Sequence, residues 1–367
     1  MNPKTVLFVI YKMNIGGVEK ALLGVIDEFR ADGWEVCVGM LDVGGGLLPY
    51  LPASVRVRKV EGFQQIRPVI HSPLRDLMKE ALRKFRILKF FKYLYFYLCY
   101  KLTHTSRYLY KHEFRKIPRF SDETFDLAVA FAGPDAFIDY YIDRKVNAKE
   151  KWGWIHFDIT RFGVDRGIMR DAYRRFSRIN IVSEGAKTVF DKTFPQFACK
   201  TVYEPNIVSA ERIREMAAAS VDMPERGGRK VLVTVGRVSR EKGQYMALAA
   251  LKKLVGSGYD NVVWWFVGDG TDMASCRKYV EENGLADYAL FLGAQTNPYP
   301  YMAAADIYIQ PSVHEGFCIT LAEAKIFGKP IITTDFVSAY EQLSVYPESA
   351  IVKFDEDKLA DVIASFL

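Results

Sequence analysis

Short apolar runs rich in β-branched residues alternate along this chain with stretches whose apolar positions recur every three or four residues. In the first half the runs predict strands at Val6–Tyr11, Glu35–Leu41, Val55–Val60, Asp126–Phe131, Trp152–His156 and Ile179–Val182. The rhythm restarts at Lys230–Val235, Val262–Val267, Ala289–Leu292, Ile307–Gln310, Pro330–Thr333 and Ile351–Lys353. Strand and helix in alternation imply βαβ units on mostly parallel sheets, so the expected class is α/β with two Rossmann-like domains in series. The join falls near Tyr203-Glu204-Pro205-Asn206, before a polar helical stretch to Met223 and the turn-prone Pro224-Glu225-Arg226-Gly227-Gly228. That sets the domains at 1–205 and 206–367. A length of 367 residues agrees, because a single core stops growing at roughly 250–300 residues.

One segment, 75–119, breaks the rhythm. It has no strand pattern and carries a long helical stretch dense in bases and aromatics. Thirteen Lys or Arg stand there against Asp76, Glu80 and Glu113, giving +10 within a chain whose net charge is +6, so the rest is acidic by 4. Phe85, Phe90, Phe91, Tyr93, Tyr95, Phe96, Tyr97 and Tyr100 interleave with the bases. That composition fits a helix lying on an anionic membrane surface, and it fits equally a helical pair that packs its aromatics at home and solvates its charge. No nucleic-acid motif accompanies the patch, so no nucleic-acid partner is expected. The aromatic run Tyr93–Tyr100 is far shorter than the roughly 20 apolar residues of a spanning helix. The run Thr5–Tyr11 has no small-residue cleavage site behind it, so no secretory signal is expected. Cys37, Cys99, Cys199, Cys276 and Cys318 form no Cys-x-x-Cys pair, which opposes a zinc ribbon or a disulfide framework and suits a reducing cytoplasm.

Candidate chemistry sits at strand ends. After the first strand, Asn14-Ile15-Gly16-Gly17-Val18-Glu19 leads into a helical pattern, where paired glycines let a phosphate approach backbone N–H groups, or simply make a tight turn. The third glycine of the dinucleotide fingerprint and the Gly-Lys-Ser/Thr of a P-loop are both missing. In the second half, Gly236-Arg237-Val238-Ser239-Arg240-Glu241-Lys242-Gly243 follows a strand, and Arg237 with Lys242 can clamp a diphosphate. Gly268-Asp269-Gly270 ends the next strand as a turn suited to close ligand approach. Furthest along, Pro311-Ser312-Val313-His314-Glu315-Gly316-Phe317-Cys318 opens a helical pattern with Glu323 about two turns in, so Glu315 and Glu323 can face one crevice and receive two hydroxyl-bearing parts of one ligand.

Taken in order, Gly16-Gly17, Arg237…Lys242, Gly268-Asp269-Gly270 and Glu315-x7-Glu323 resemble family 4 retaining glycosyltransferases, the glycosyl transferases group 1, of GT-B fold. The phrase Asn297-Pro298-Tyr299-Pro300-Tyr301-Met302 with Ala305-Asp306-Ile307-Tyr308-Ile309-Gln310-Pro311-Ser312 is similar to members that build bacterial surface polysaccharides.

The resemblance implies two Rossmann-like domains facing each other across a cleft, with the basic aromatic helical segment as an insertion in the N-terminal, acceptor-side domain. It implies a nucleotide-sugar donor, UDP-linked first and GDP-linked second, held mostly by the C-terminal domain, and a lipid-linked or saccharide acceptor. On that template Glu323 binds the ribose hydroxyls, while Glu315 with the Gly316 and Phe317 backbone contacts the donor sugar. Arg237 and Lys242 neutralise the leaving diphosphate, and Gly236, Gly268 and Asp269 line the donor loops. Gly16 and Gly17 close on phosphate or acceptor. Trp154-Ile155-His156-Phe157-Asp158 resembles the central histidine loop, which sets His156 beside the reacting sugar as a base or a positioning group, and Asn206 falls at the interdomain asparagine. Relatives continue beyond the equivalent of Leu367 into a helix that crosses back to the first domain.

No metal and no cofactor are expected. The only Asp-x-Asp, Asp355-Glu356-Asp357, opens a helical pattern as a capping cluster, and His71, His104 and His112 lack ligand spacing. The expected protein is a retaining, metal-independent glycosyltransferase, cytoplasmic and peripheral on the inner membrane face. The competing readings are a nucleotide-sugar epimerase or phosphorylase on the same fold, and a non-catalytic docking subunit.

Overall fold

The computed structural model describes residues 3–157, 159–160 and 163–367. The chain divides into two compact units, Met1–Pro205 and Asn206–Leu367. The first holds seven strands: β1 (Thr5–Ile10), β2 (Glu35–Met40), β3 (Arg56–Lys59), β4 (Thr124–Gly133), β5 (Asn147–Ile155), β6 (Arg178–Ile181) and β7 (Thr201–Tyr203). All pair in parallel in the order β3-β2-β1-β4-β5-β6-β7, with Val6 opposite Val36 on one side and Leu127 on the other. Central strands read as unbroken apolar runs because helices cover both faces, and Val6, Leu7, Phe8 and Val9 have no exposure. The edge strand β3, Arg-Val-Arg-Lys, is exposed throughout, and charge there discourages pairing with another chain.

The second unit holds β8 (Lys230–Val235), β9 (Val262–Val267), β10 (Ala289–Gly293), β11 (Ile307–Gln310), β12 (Ile331–Thr334) and β13 (Ser349–Val352), in the order β10-β9-β8-β11-β12-β13. Side-chain alternation builds one core on each face: Leu232, Trp264 and Ile309 pack on one, Val231, Val233 and Trp265 on the other. In both units strand order reverses beside the first strand, between β1 and β4 and between β8 and β11. Open α/β sheets bind ligands outside the carboxyl ends of the strands at such a point.

The segment between β3 and β4 folds into the helices Phe63–Ile70, Leu74–Arg83, Ile87–Thr103 and Arg107–Glu113 and a 3₁₀ turn at Phe114–Lys116. The stretch read from sequence as one long helical run is therefore broken, at Phe85 and His104, which both take φ 52°. Tyr110, Phe114 and Ile117 tie its end into the aromatic core of the first unit. Glu113, 1% exposed, receives the ammonium groups of Lys92 (3.0 Å) and Lys116. Among the described residues no helix is long and apolar enough to cross a membrane.

Candidate functional site

The loop after β8 runs Gly236 to Gly243 and meets the loop after β11 at the reversal point of the second sheet. Their backbones touch closely: Val313 N–H donates to the Glu241 carbonyl at 2.8 Å, and a Cβ on Gly243 would lie 1.8 Å from the Pro311 carbonyl oxygen. Gly243 also sits at φ 73°, so this position needs glycine twice over. The contact sets Lys242 against Glu315, with Nζ 2.7 Å from Oε1 and 2.8 Å from Oε2. Burial draws the Lys242 pKa down, but the Glu315 carboxylate outweighs it and holds the ammonium above its ordinary value. Arg237 is not part of this pair. Its side chain is 69% exposed and nearest to Glu241 at 3.7 Å.

Glu315 is held from a second side by a chain of polar side chains. Ser312 Oγ donates to Glu315 Oε1 at 2.7 Å, Gln310 Nε2 donates to Ser312 Oγ at 2.8 Å, and Tyr308 and Thr320 hydroxyls donate to Gln310 Oε1 at 2.5 and 3.1 Å. With both oxygens engaged, the Glu315 side chain is fixed and only 8% exposed. Gly316 is half-buried and Phe317 buried, the Phe317 carbonyl taken by Gln342 Nε2.

The helix carrying Glu323 starts later than its sequence pattern suggests. Cys318 caps it in the left-handed conformation (φ 60°, ψ 72°) and the helix spans Ile319–Lys325, so Glu323 lies in the second turn and not two turns in. Its carboxylate is 1% exposed and accepts from Tyr299 Oη at 2.8 Å. Tyr299 thus joins the site unforeseen. After β9, Gly268 (φ 151°) approaches the Gly236 carbonyl so closely that a Cβ would lie 1.9 Å from it. Asp269 turns its carboxylate to the Gly270 N–H (2.7 Å) and its carbonyl to the Val238 N–H (3.1 Å). At the far end of the unit, Asp355 accepts from Lys358 N–H as a helix cap and Asp357 pairs with Lys253. Among the described residues no three His, Cys, Asp or Glu side chains gather as metal ligands.

In the first unit, Gly16 caps the helix Gly17–Ala31, and Glu19 folds back until its Oε2 is 2.4 Å from where a Gly16 Cβ would stand. His156 follows β5, with Nε2 2.6 Å from the Phe131 carbonyl oxygen and its own N–H on the Gly133 carbonyl. A carbonyl only accepts, so Nε2 carries the proton and Nδ1 is the lone pair, buried without a partner among the described residues. Burial lowers the ring's pKa to about 4, which keeps it neutral at physiological pH. Asp158, which closes the histidine motif, lies outside the described residues. At the carboxyl end of β4 a cavity of about 360 Å³ is lined by His71, Ser106, Tyr110, Asp135, Asp165 and Met169. A larger one in the second unit, about 600 Å³, lies along the helices Gln244–Gly256 and Glu356–Phe366 and holds none of the candidate residues.

Residues 218–367 match the model of the family "Glycosyl transferases group 1". The second unit is therefore similar to group 1 glycosyltransferases over most of its length. Arg237, Lys242, Glu315 and Glu323 all fall within the matched residues, whereas Gly16, Gly17 and His156 precede them. The chain is 36% identical over 184 residues to the 2-deoxystreptamine N-acetyl-D-glucosaminyltransferase of Streptomyces fradiae, covering 48% of this chain and 43% of that one. It is 26% identical over 145 residues to a Campylobacter jejuni N-acetylgalactosaminyltransferase acting on a diphospho-undecaprenol glycan, covering 40% and 37%. Of the first curated relatives it matches, the chain spans 42% and 44%. Among solved structures, Anabaena HepE in complex with UDP and glucose superposes with a TM-score of 0.67 at 18% identity, over 98% of this chain and 89% of that one. That likeness speaks for the fold, two Rossmann-like domains of the GT-B class.

Proposed function

We propose that this chain is a retaining, metal-independent glycosyltransferase that moves a sugar from a nucleoside-diphosphate sugar, UDP-linked first and GDP-linked second, to a lipid-linked or saccharide acceptor in bacterial surface polysaccharide assembly. The observation that carries the reading is the Lys242–Glu315 pair at the reversal point of the second sheet, within the residues similar to group 1 glycosyltransferases. As a glycosidic bond to a diphosphate breaks, negative charge builds on the departing phosphate, and a fixed ammonium stabilises that charge more than the ground state. An ammonium has three protons, so Lys242 keeps a donor for phosphate while Glu315 holds it in place. Arg237, exposed on the same loop, supplies a second, mobile cation, and Gly236 leaves room for the phosphate there. Two cations in this role do the work a divalent metal does elsewhere.

Glu315 then serves as an orienting group for donor-sugar hydroxyls and Glu323, with Tyr299, for the ribose. Retention through a covalent intermediate would need a carboxylate with a free oxygen. Lys242 and Ser312 engage Glu315, and Tyr299 holds Glu323, which favours attack from the leaving-group side. His156, neutral and tethered to a carbonyl, suits a positioning role better than that of a base. The cavity lined by His71, Asp135 and Asp165 offers hydrogen-bonding partners for an acceptor. The Campylobacter relative, named for a diphospho-undecaprenol acceptor, supports the lipid-linked option, and HepE with UDP supports the donor.

The test is a thermal-shift panel of UDP, GDP, ADP and their sugars, followed by transfer assays with and without chelator and proton NMR of the product anomer. A rise in melting temperature with one diphosphate, chelator-resistant turnover and a retained anomer are expected. Failure of every diphosphate to bind would return the chain to the docking-subunit reading.

A further inference from the structure

The helix Ile87–Thr103 presents two apolar faces, of which one is used. Tyr93 and Phe96 are buried, with Tyr93 packed against Leu77 and Ala81 of the preceding helix. On the opposite side Leu88, Phe91, Tyr95, Leu98 and Leu102 recur at alternating spacings of three and four and form one seam, from 52% to 89% exposed. At one end of the seam the turn residue Phe85, at φ 52°, is itself 89% exposed. Soluble proteins rarely leave so continuous an apolar strip in water.

We propose that this seam and the turn before it form a docking surface for an anionic lipid bilayer. The charge beside it chooses the occupant. Arg83, Arg86 and Lys89 crowd the Phe85–Leu88 end and make no ion pair among the described residues, while Lys101 stands at the other end. A second copy of the chain docked seam to seam would bring these bases against their equivalents, a repulsive arrangement. A single-stranded nucleic acid would stack on aromatic faces, and Leu88, Leu98 and Leu102 offer none. A bilayer with anionic headgroups satisfies both halves: leucine and phenylalanine enter the acyl boundary and the bases meet phosphate. At 17 residues the helix is about 25 Å long, so it lies along the surface and does not cross it.

The proposal is independent of the transferase reading, because plain vesicles contain no substrate. The full chain is sedimented with phosphatidylcholine vesicles, with and without phosphatidylglycerol, at low and high salt. Binding about tenfold stronger with phosphatidylglycerol, and weakened by salt, is expected. The double variant Arg83→Glu, Arg86→Glu should lose that preference, and Leu88→Ser, Phe91→Ser should weaken binding about tenfold at either salt. Circular dichroism and the melting temperature of each variant verify that it is folded. Absence of binding at low salt overturns the proposal, as does binding that neither variant alters. A concentration-dependent dimer that Leu88→Ser, Phe91→Ser dissolves, without vesicle binding by the parent, assigns the seam to self-association and overturns it equally.

Discussion

A lysine and a glutamate in bidentate contact, each braced by its own loop, give the second unit a cation whose position does not depend on its substrate. Removing one partner of such a pair costs about 3 kcal/mol, much of it the penalty of leaving the other charge stranded. Glu315→Ala therefore mixes folding with chemistry, whereas Glu315→Gln keeps hydrogen-bonding atoms in place. Because Gln still strands the Lys242 charge, we expect Glu315→Gln to lose about 3 kcal/mol in urea while remaining folded, and to lose transfer by about 100-fold or more, and parental turnover would remove Glu315 from the site. Lys242→Met should abolish the thermal shift given by the nucleoside diphosphate. His156 makes a prediction in pH. Its folded pKa of about 4 lies below the ordinary 6.5, so above pH 6.5 its contribution is fully present, and it is lost as pH falls toward 4, by at most about 3 kcal/mol. Urea unfolding from pH 7.5 to 4.5 should show a shallower decline for His156→Asn than for the parent, and equal slopes would contradict the burial of this ring.

Elements differ in how plainly the sequence announces them. Apolar β-branched runs place the central strands within about two residues, except β5, whose polar start at Asn147 lies five residues before the predicted Trp152, and strand-end glycines mark the loops that carry Lys242 and Glu315. The strand β7 went unread because Thr-Val-Tyr is too short to show alternation, its pairing with β6 supplied by the fold. Tyr308 and Gln310 fall in the predicted strand and Ser312 at the start of the loop after it, and their link to Glu315 is hidden because a polar residue at the end of an apolar run looks like core until its partners are known. The left-handed turns at Phe85 and His104 carry no glycine or proline, so nothing local marks the helix breaks. Gly243 is the opposite case. Gly243→Ala would place a methyl carbon inside contact distance of the Pro311 carbonyl in an unfavourable φ region, and should destabilise the second unit by about 2–4 kcal/mol while displacing Lys242. Urea unfolding together with diphosphate binding measures both effects, and an unchanged midpoint would contradict the close approach of the two loops.

At the scale of the whole molecule, each unit has its own sheet and its own buried core, and all of Arg237, Lys242, Glu315 and Glu323 fall in the second. A fragment starting at Asn206 is expected to fold alone, with a cooperative melt, and to bind the diphosphate without transferring sugar; a fragment without a melting transition would show that its core is incomplete. The net charge follows the same division of labour, with the +10 of 75–119 in the first unit and an acidic remainder. Thiol chemistry offers a readout across the chain. Cys199 is exposed, whereas Cys318, at the turn that starts the Glu323 helix, is buried and its pKa is driven up by burial and then by the Glu315 charge. The Cys318 thiol is inert until that turn opens, so its slow alkylation, timed against the fast reaction of Cys199, is a clock for local opening of the loop that carries Glu315, which a diphosphate bound as proposed should retard.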